Sequence, residues 1–232
     1  IPAAVDALAS RGEFMTAYTP YQAEISQGTL QMIFEFQTLI CQLTGMDVAN
    51  ASIYDGASAL AEAALMSARV TRRTRICVSA GLHPHWREVL RTYTEGIGLT
   101  LSTLDLDETG RTAIRPLPAD TAAVIVQSPN FFGCIEELAA ASEAAHAVGA
   151  LAIAATAEAL SLALLRPPGE LGCDIACGEA QSFGLPLSFG GPYAGFLAAR
   201  EKFVRQLPGR LIGESVDSTG QRAFVMTLTT RE

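Results

Sequence analysis

Ala123-Val124-Ile125-Val126-Gln127, Ile135–Val148, Ala150-Leu151-Ala152-Ile153-Ala154-Ala155, Glu158–Leu164 and Asp174-Ile175-Ala176-Cys177 follow one another as apolar run, helical pattern, apolar run, helical pattern, apolar run. Each apolar run has the length of a strand and is apolar nearly throughout, without the strict alternation of a half-exposed one. Such strands are covered on both faces, and intervening helices supply the covers. The stretch therefore predicts a mainly parallel sheet in an α/β protein. The rhythm extends outward in both directions. Before it come a strand at Arg75–Ser79, a helix at His83–Gly96 and a strand at Leu99–Leu104; after it come a strand at Gly195–Ala199 and a helix at Glu201–Leu207.

Further upstream, apolar residues from Ile25 to Leu43 recur at helical spacing and predict the longest helix over Gln22–Met46, with Gly45 as its stop. The alanine-rich run Ala59–Val70 predicts a second helix, with Ser58 as its N-cap. Asp47–Asp55, Thr109–Asp120 and Phe183–Pro192 read as loops. The chain changes character after Pro208, and Phe224–Thr230 alternates like a strand. Residues 1–208 accordingly read as one large domain, and 209–232 as the start of a connection to a C-terminal small domain. An opening at Ile1 and a stop at Glu232 without a polar tail suggest a fragment of a longer protein, and the N-terminus carries no signal-peptide pattern.

Composition excludes several classes. With 232 residues, 49% of them hydrophobic and 17% charged, the chain can bury a substantial core, and no apolar run approaches the ~20 residues of a membrane span. A net charge of −8 argues against nucleic acid as a main partner, and Arg69, Arg72, Arg73 and Arg75 read as a solvated helix end. Five scattered cysteines without a C-x-x-C pair fit reduced thiols in the cytoplasm. Cys173 and Cys177 would point the same way from one strand, but no histidine lies near them in sequence, so they read as small buried hydrophobes and not as zinc ligands. There is a single lysine, Lys202, so any chemistry that needs a lysine Schiff base must use it or a lysine of another chain.

An open parallel sheet binds ligands at the C-terminal ends of its strands. Asp55-Gly56-Ala57-Ser58 is the best anion site by that rule, since the glycine admits a close approach and the following helix offers free N–H groups; a plain N-capped helix start explains the same residues. His83 and His85 stand in a strand-to-helix loop, as active-site residues or as helix-start caps, while His146 reads as structural. G-x-G-x-x-G, the P-loop and G-x-S-x-G are all missing, which removes the dinucleotide, P-loop and serine-hydrolase readings.

Thr19-Pro20-Tyr21-Gln22-Ala23-Glu24-Ile25-Ser26-Gln27 crowds polar groups around a helix start. Together with Tyr54–Ala63, Ser128-Pro129-Asn130-Phe131-Phe132-Gly133, Ser182–Phe196 and Pro208–Glu214, it resembles the glycine cleavage system P-protein family, the PLP-dependent glycine dehydrogenases (decarboxylating), and within it the subunit 1, or α-chain, type of the two-subunit form. The resemblance runs through nearly the whole chain in order. It implies the fold-type I PLP-transferase large domain, three-layer α/β/α with a mainly parallel seven-stranded sheet. It also implies a cytoplasmic heterotetramer with a subunit 2 (β chain). In this system glycine condenses with PLP and loses CO2, and its aminomethyl group passes to the lipoyl arm of H-protein.

Carried over residue by residue, the resemblance puts Gln181 at the position of the Schiff-base lysine and Thr156 near that of the aspartate that keeps the PLP ring nitrogen protonated. An amide forms no Schiff base. Lys202, at the exposed start of a helix after the edge strand, is badly placed to substitute. The implied role is a non-catalytic α subunit, with PLP on the partner β subunit. Thr19, Tyr21, Gln22, Glu24, Ser26 and Gln27 are then interface or active-site-shaping residues, or else simply satisfy backbone at a buried junction. Asp55, Gly56, Ala57, Ser58, His83 and Asn130 would line a vestigial cofactor cleft. The alternative is a subunit that still takes PLP or another phosphorylated ligand there as an effector.

Overall fold

The computed structural model describes residues 1–15 and 19–227. Two short helices, α1 (Ala3–Ala9) and α2 (Gly12–Met15), precede the long helix α3 (Gln27–Thr44), which ends at Gly45 in the left-handed region (φ 66°). There follow β1 (Val48–Ala49), α4 (Gly56–Thr71), β2 (Arg75–Ser79), α5 (Pro84–Glu95), β3 (Thr100–Leu104), β4 (Thr121–Gln127), α6 (Leu138–Ala147), β5 (Leu151–Thr156), β6 (Ile175–Glu179) and β7 (Gly195–Ala199). A hairpin of β8 (Leu211–Val216) and β9 (Arg222–Thr227) closes the described chain; the part of the expected final strand beyond Thr227 lies outside the described residues.

Seven strands form one sheet in the order β1-β7-β6-β5-β4-β2-β3. Its β2–β6 core is parallel, and β7 runs antiparallel to both its neighbours. Side-chain parity sorts the sheet into two cores. Ile76, Val78, Ile125, Ile153 and Cys177 face the layer of α4 and α5, while Cys77, Val124, Val126, Ala152 and Ala176 face the layer of α3 and α6. This is the physical origin of the apolar runs, because every residue of β4 and β5 is buried whichever way it points.

Several expectations are corrected. The cap of α4 is Asp55, whose Oδ1 accepts from the backbone N–H of Ser58 at 2.7 Å; Ser58 is already in the first turn. Glu158–Leu164 and Glu201–Leu207 contain 3₁₀ turns, Ala159–Ala163 and Glu201–Gln206, not α-helices. β7 is not the edge, since the two residues of β1, inside the expected 47–55 loop, pair outside it. Cys173 precedes β6 and joins the α3/α6 core while Cys177 joins the other, so the two point apart; burial pushes the Cys173 thiol up to about 11. The arginines divide as well. Arg73 is half-buried and its Nη1 donates to the carbonyls of Thr121 and Val148, and Arg75 lies in β2 against Asp120 at 2.9 Å.

Glycine decides how close α4 comes to the sheet. A Cβ on Gly195 would sit 2.2 Å from the Asp55 carbonyl oxygen and 2.5 Å from its carbon, both backbone atoms that cannot swing aside. Gly195→Ala should therefore cost about 1–3 kcal/mol of stability, roughly 2–10 °C in Tm for a chain of this size. Thermal unfolding monitored by circular dichroism checks this, and an unchanged Tm would mean that the approach is looser than described.

Candidate functional site

The chain leaves β2 for β3 on one side and then returns to β4, β5 and β6 on the other, so the strand order reverses between β2 and β4. Open parallel sheets take ligands at such a reversal, and the cleft would be bounded here by the C-terminal ends of β2, β4, β5 and β6 and the start of α4.

Asp55 caps α4, and Gly56, Ala57 and Ser58 form its first turn. Gly56 and Ala57 are buried, and Asp55 and Ser58 half-buried. A Cβ on Gly56 would lie 2.5 Å from the Trp86 ring, so the indole of α5 rests directly on the glycine. Beside Trp86 stands His83, the N-cap of α5. Its Nδ1 accepts from the His85 N–H at 3.2 Å, its own N–H donates to Gln127 Oε1 at 2.8 Å, and its ring meets the edge of Phe131 at 5.1 Å. Burial and the neighbouring His85 hold the His83 pKa below the ordinary histidine range. Asn130, expected to line the cleft, is 4% exposed. Its Nδ2 donates to the Gly110 carbonyl and to Glu136 Oε1, and its Oδ1 accepts from the N–H groups of Phe132 and Cys134, which commits the whole amide to its own loop and to the neighbouring turn at Gly110.

The two carried-over positions lie at the ends of β5 and β6. Thr156 is the buried last residue of β5, with no charge to offer. The next carboxylate in the chain, Glu158, is exposed and accepts from the Leu160 N–H. Gln181 opens a 3₁₀ turn just after β6. Two residues earlier, Glu179 was missed by sequence reasoning. Its Oε2 accepts from the Gly56 N–H at 2.9 Å, and its Oε1 accepts from the N–H groups of Gln181 and Ala194, each at 3.0 Å. Lys202 pairs instead with Asp174 Oδ1 at 3.4 Å, before the start of β6, and is 64% exposed. A five-residue strand, on the order of 15 Å, separates it from the cleft. His146 Nε2 contacts the same Asp174 at 2.7 Å.

These residues do not fit PLP. The carboxylate of Glu179 and that of Asp55 already take the first and third amides of the helix start that would receive a phosphate, and neither an amine at 181 nor a carboxylate at 156 is available to the ring.

The polar N-terminal segment divides. Thr19, Tyr21, Gln22 and Glu24 are exposed, Tyr21 at 65%. Ser26 is half-buried, and its carbonyl accepts from the Leu30 N–H. Gln27 turns inward: its Oε1 accepts from the Phe224 N–H at 2.8 Å and its Nε2 donates to the Phe224 carbonyl at 2.9 Å. Gln37 does the same to Ile212 at 2.9 and 3.0 Å. The two amides imitate strand edges and bind the β8–β9 hairpin to α3. A cleft of about 460 Å³ between Glu24, Gln27, Gln31 and the hairpin residues Asp217 and Arg222 opens beside them.

The topology and the covered faces are those of the fold-type I PLP-transferase large domain. The same fold appears in a sphingosine-1-phosphate lyase from Burkholderia pseudomallei, at TM-score 0.69 and 17% identity over 96% of this chain and 56% of that one. The sequence model of the glycine cleavage system P-protein matches residues 1–232, and the chain belongs to that family. It is 54% identical over 236 aligned residues to a protein of Desulforamulus reducens named probable glycine dehydrogenase (decarboxylating) subunit 1, covering 100% of this chain and 52% of the relative. It also matches the inhibitor-bound crystal structure of glycine decarboxylase (P-protein) of the glycine cleavage system, at TM-score 0.95 and 54% identity over 98% of this chain and 52% of that one. The chain thus spans about half the length of these relatives. Among the described residues, no helix is long and apolar enough to cross a membrane.

His83 makes the site's stability sensitive to pH. Its folded pKa lies below the ordinary value of about 6.5, so as pH falls through 6.5 the unfolded chain takes up a proton that the native state refuses. Stability should decline between pH 6.5 and the lowered His83 value and then level off. Denaturant unfolding across pH 5–7.5 should show a flatter profile for His83→Asn, which keeps a capping side chain; equal slopes would exonerate His83.

Proposed function

We propose that this chain is the large-domain part of a non-catalytic α subunit of a glycine dehydrogenase (decarboxylating), supporting glycine decarboxylation and aminomethyl transfer to lipoylated H-protein. The observation that carries the reading is the end of β6, where an amide, Gln181, follows a carboxylate, Glu179, that is already hydrogen-bonded to the start of α4. PLP, which supplies the electron sink for decarboxylation, then belongs to the partner subunit 2 (β chain). The relatives named subunit 1 support a two-subunit enzyme. The effector alternative is disfavoured because it needs the amides that Glu179 and Asp55 occupy.

On this reading Thr19, Tyr21, Gln22 and Glu24 meet the β subunit, supported by their exposure, while Gln27 acts through the hairpin it holds. Residues 1–208 serve as the large domain and 209–232 lead toward a C-terminal small domain, a division supported by the β8–β9 hairpin forming a two-stranded sheet of its own, which packs on α3 through Leu30, Ile212 and Phe224. Cytoplasmic residence is supported by the five unpaired cysteines.

Glycine–bicarbonate carbon exchange with PLP and lipoylated H-protein is the direct test. The full-length protein alone should show no exchange, and mixing it with the β chain should produce exchange well above that of the β chain alone. Exchange by this protein alone would refute the non-catalytic reading. In the same assay, Gln22→Ala with Glu24→Ala should weaken assembly, read by size-exclusion chromatography, or lower the mixed rate several-fold; an unaltered complex with an unaltered rate removes these two residues from the interface.

A further inference from the structure

One carboxylate joins the turn that follows it to the chain before β7 and to the start of α4, 123 positions away. Glu179 accepts N–H groups from Gly56 at the start of α4, from Gln181 after β6 and from Ala194 before β7, all at 2.9–3.0 Å. Converging backbone amides at a helix N-terminus on the C-terminal side of a parallel sheet are the ordinary receptacle of a phosphate group. Here a side chain of the protein supplies the anion. Its surroundings match that use: Gly56 lies directly under the Trp86 ring, and the Asp55 carboxylate holds a further amide of the same turn, so an incoming phosphate would meet two negative charges and a closed wall.

We propose that Glu179 is a built-in replacement for a cofactor phosphate, neutralising the α4 N-terminus and tying it to β6 and β7 so that the cleft is complete without any ligand. The proposal rests on the non-catalytic reading above. It adds that the cleft is closed to phosphate by a specific residue, and not merely left without its catalytic groups.

The test uses the full-length protein with inorganic phosphate, pyridoxal 5′-phosphate and pyridoxal as probes, followed by thermal shift and titration calorimetry. Wild type should show no saturable response to any of the three. Glu179→Ala should lose several degrees of Tm and recover part of them, saturably, with phosphate and pyridoxal 5′-phosphate but not with pyridoxal. A loss of Tm without phosphate rescue would overturn the proposal, leaving Glu179 as a tie between segments. Equal phosphate binding by wild type and variant would overturn it as well. Should Glu179→Ala fail to fold, Glu179→Gln decides through amide hydrogen exchange. The Gly56, Gln181 and Ala194 amides should accelerate together by about tenfold or more, and unchanged protection would refute the shared anion. Glycine–bicarbonate exchange by wild type alone would sink the non-catalytic reading without touching these results, so the two can fail separately.

Discussion

A helix can start inside a protein only where its first amides are satisfied, and the start of α4 governs how this molecule is assembled. Two glycines bring that start against the sheet: Gly56, where a Cβ would meet the Trp86 ring and, at 2.9 Å, the Glu179 nitrogen, and Gly195, against the Asp55 backbone. Two carboxylates then meet the positive end of the helix, Asp55 from the chain before it and Glu179 from across the fold. With its first turn pinned, α4 lies across β4–β7 and buries most of its alanines, which creates the larger of the two cores. The turn that in a cofactor enzyme would wait for a ligand is here finished by the protein itself.

The sheet was legible because burial on both faces leaves a simple trace, uninterrupted apolar residues, and β2, β4, β5, β6 and β7 all carry it. Other features leave none. β1 is two residues long and exists only because β7 lies beside it. Periods of 3.0 and 3.6 cannot be told apart over the five residues Ala159–Ala163, so a 3₁₀ turn read as an α-helix. Asp55 and Ser58 are both good capping residues three apart, and choosing between them needs the helix start, which the alanine-rich pattern blurs. Ser58 looked like the boundary because the good helix formers begin just after it.

At the start of α4 the glycine before the helix was readable and the carboxylate that meets it was not. Asp55–Ser58 stood out as a glycine before a helix, whereas Glu179 lies 123 positions from its partner Gly56 and had no local pattern to mark it. Gln27 and Gln37 are similar: as polar residues of an amphipathic helix they gave no sign of pairing with backbone 197 and 175 positions away. One signal was available in the sequence. Asp107-Glu108-Thr109-Gly110 and Asp217-Ser218-Thr219-Gly220 repeat one turn, in which the aspartate Oδ1 accepts from the threonine N–H and hydroxyl while the glycine adopts positive φ, 79° and 81°. The second copy marks the tip of the β8–β9 hairpin, so the two strands could have been paired from the turn alone.

The scarcity of amines has its own meaning. Lys202 is the one lysine of the sequence, and it is engaged with Asp174 at the end of the sheet opposite the cleft. An aldehyde diffusing over this surface finds almost nothing to condense with, since arginine, which supplies the other fifteen basic residues, stays protonated at any physiological pH. Beside a neighbour that handles a reactive carbonyl, such a chain is chemically quiet: it can carry positive charge at its surface without competing for the reagent.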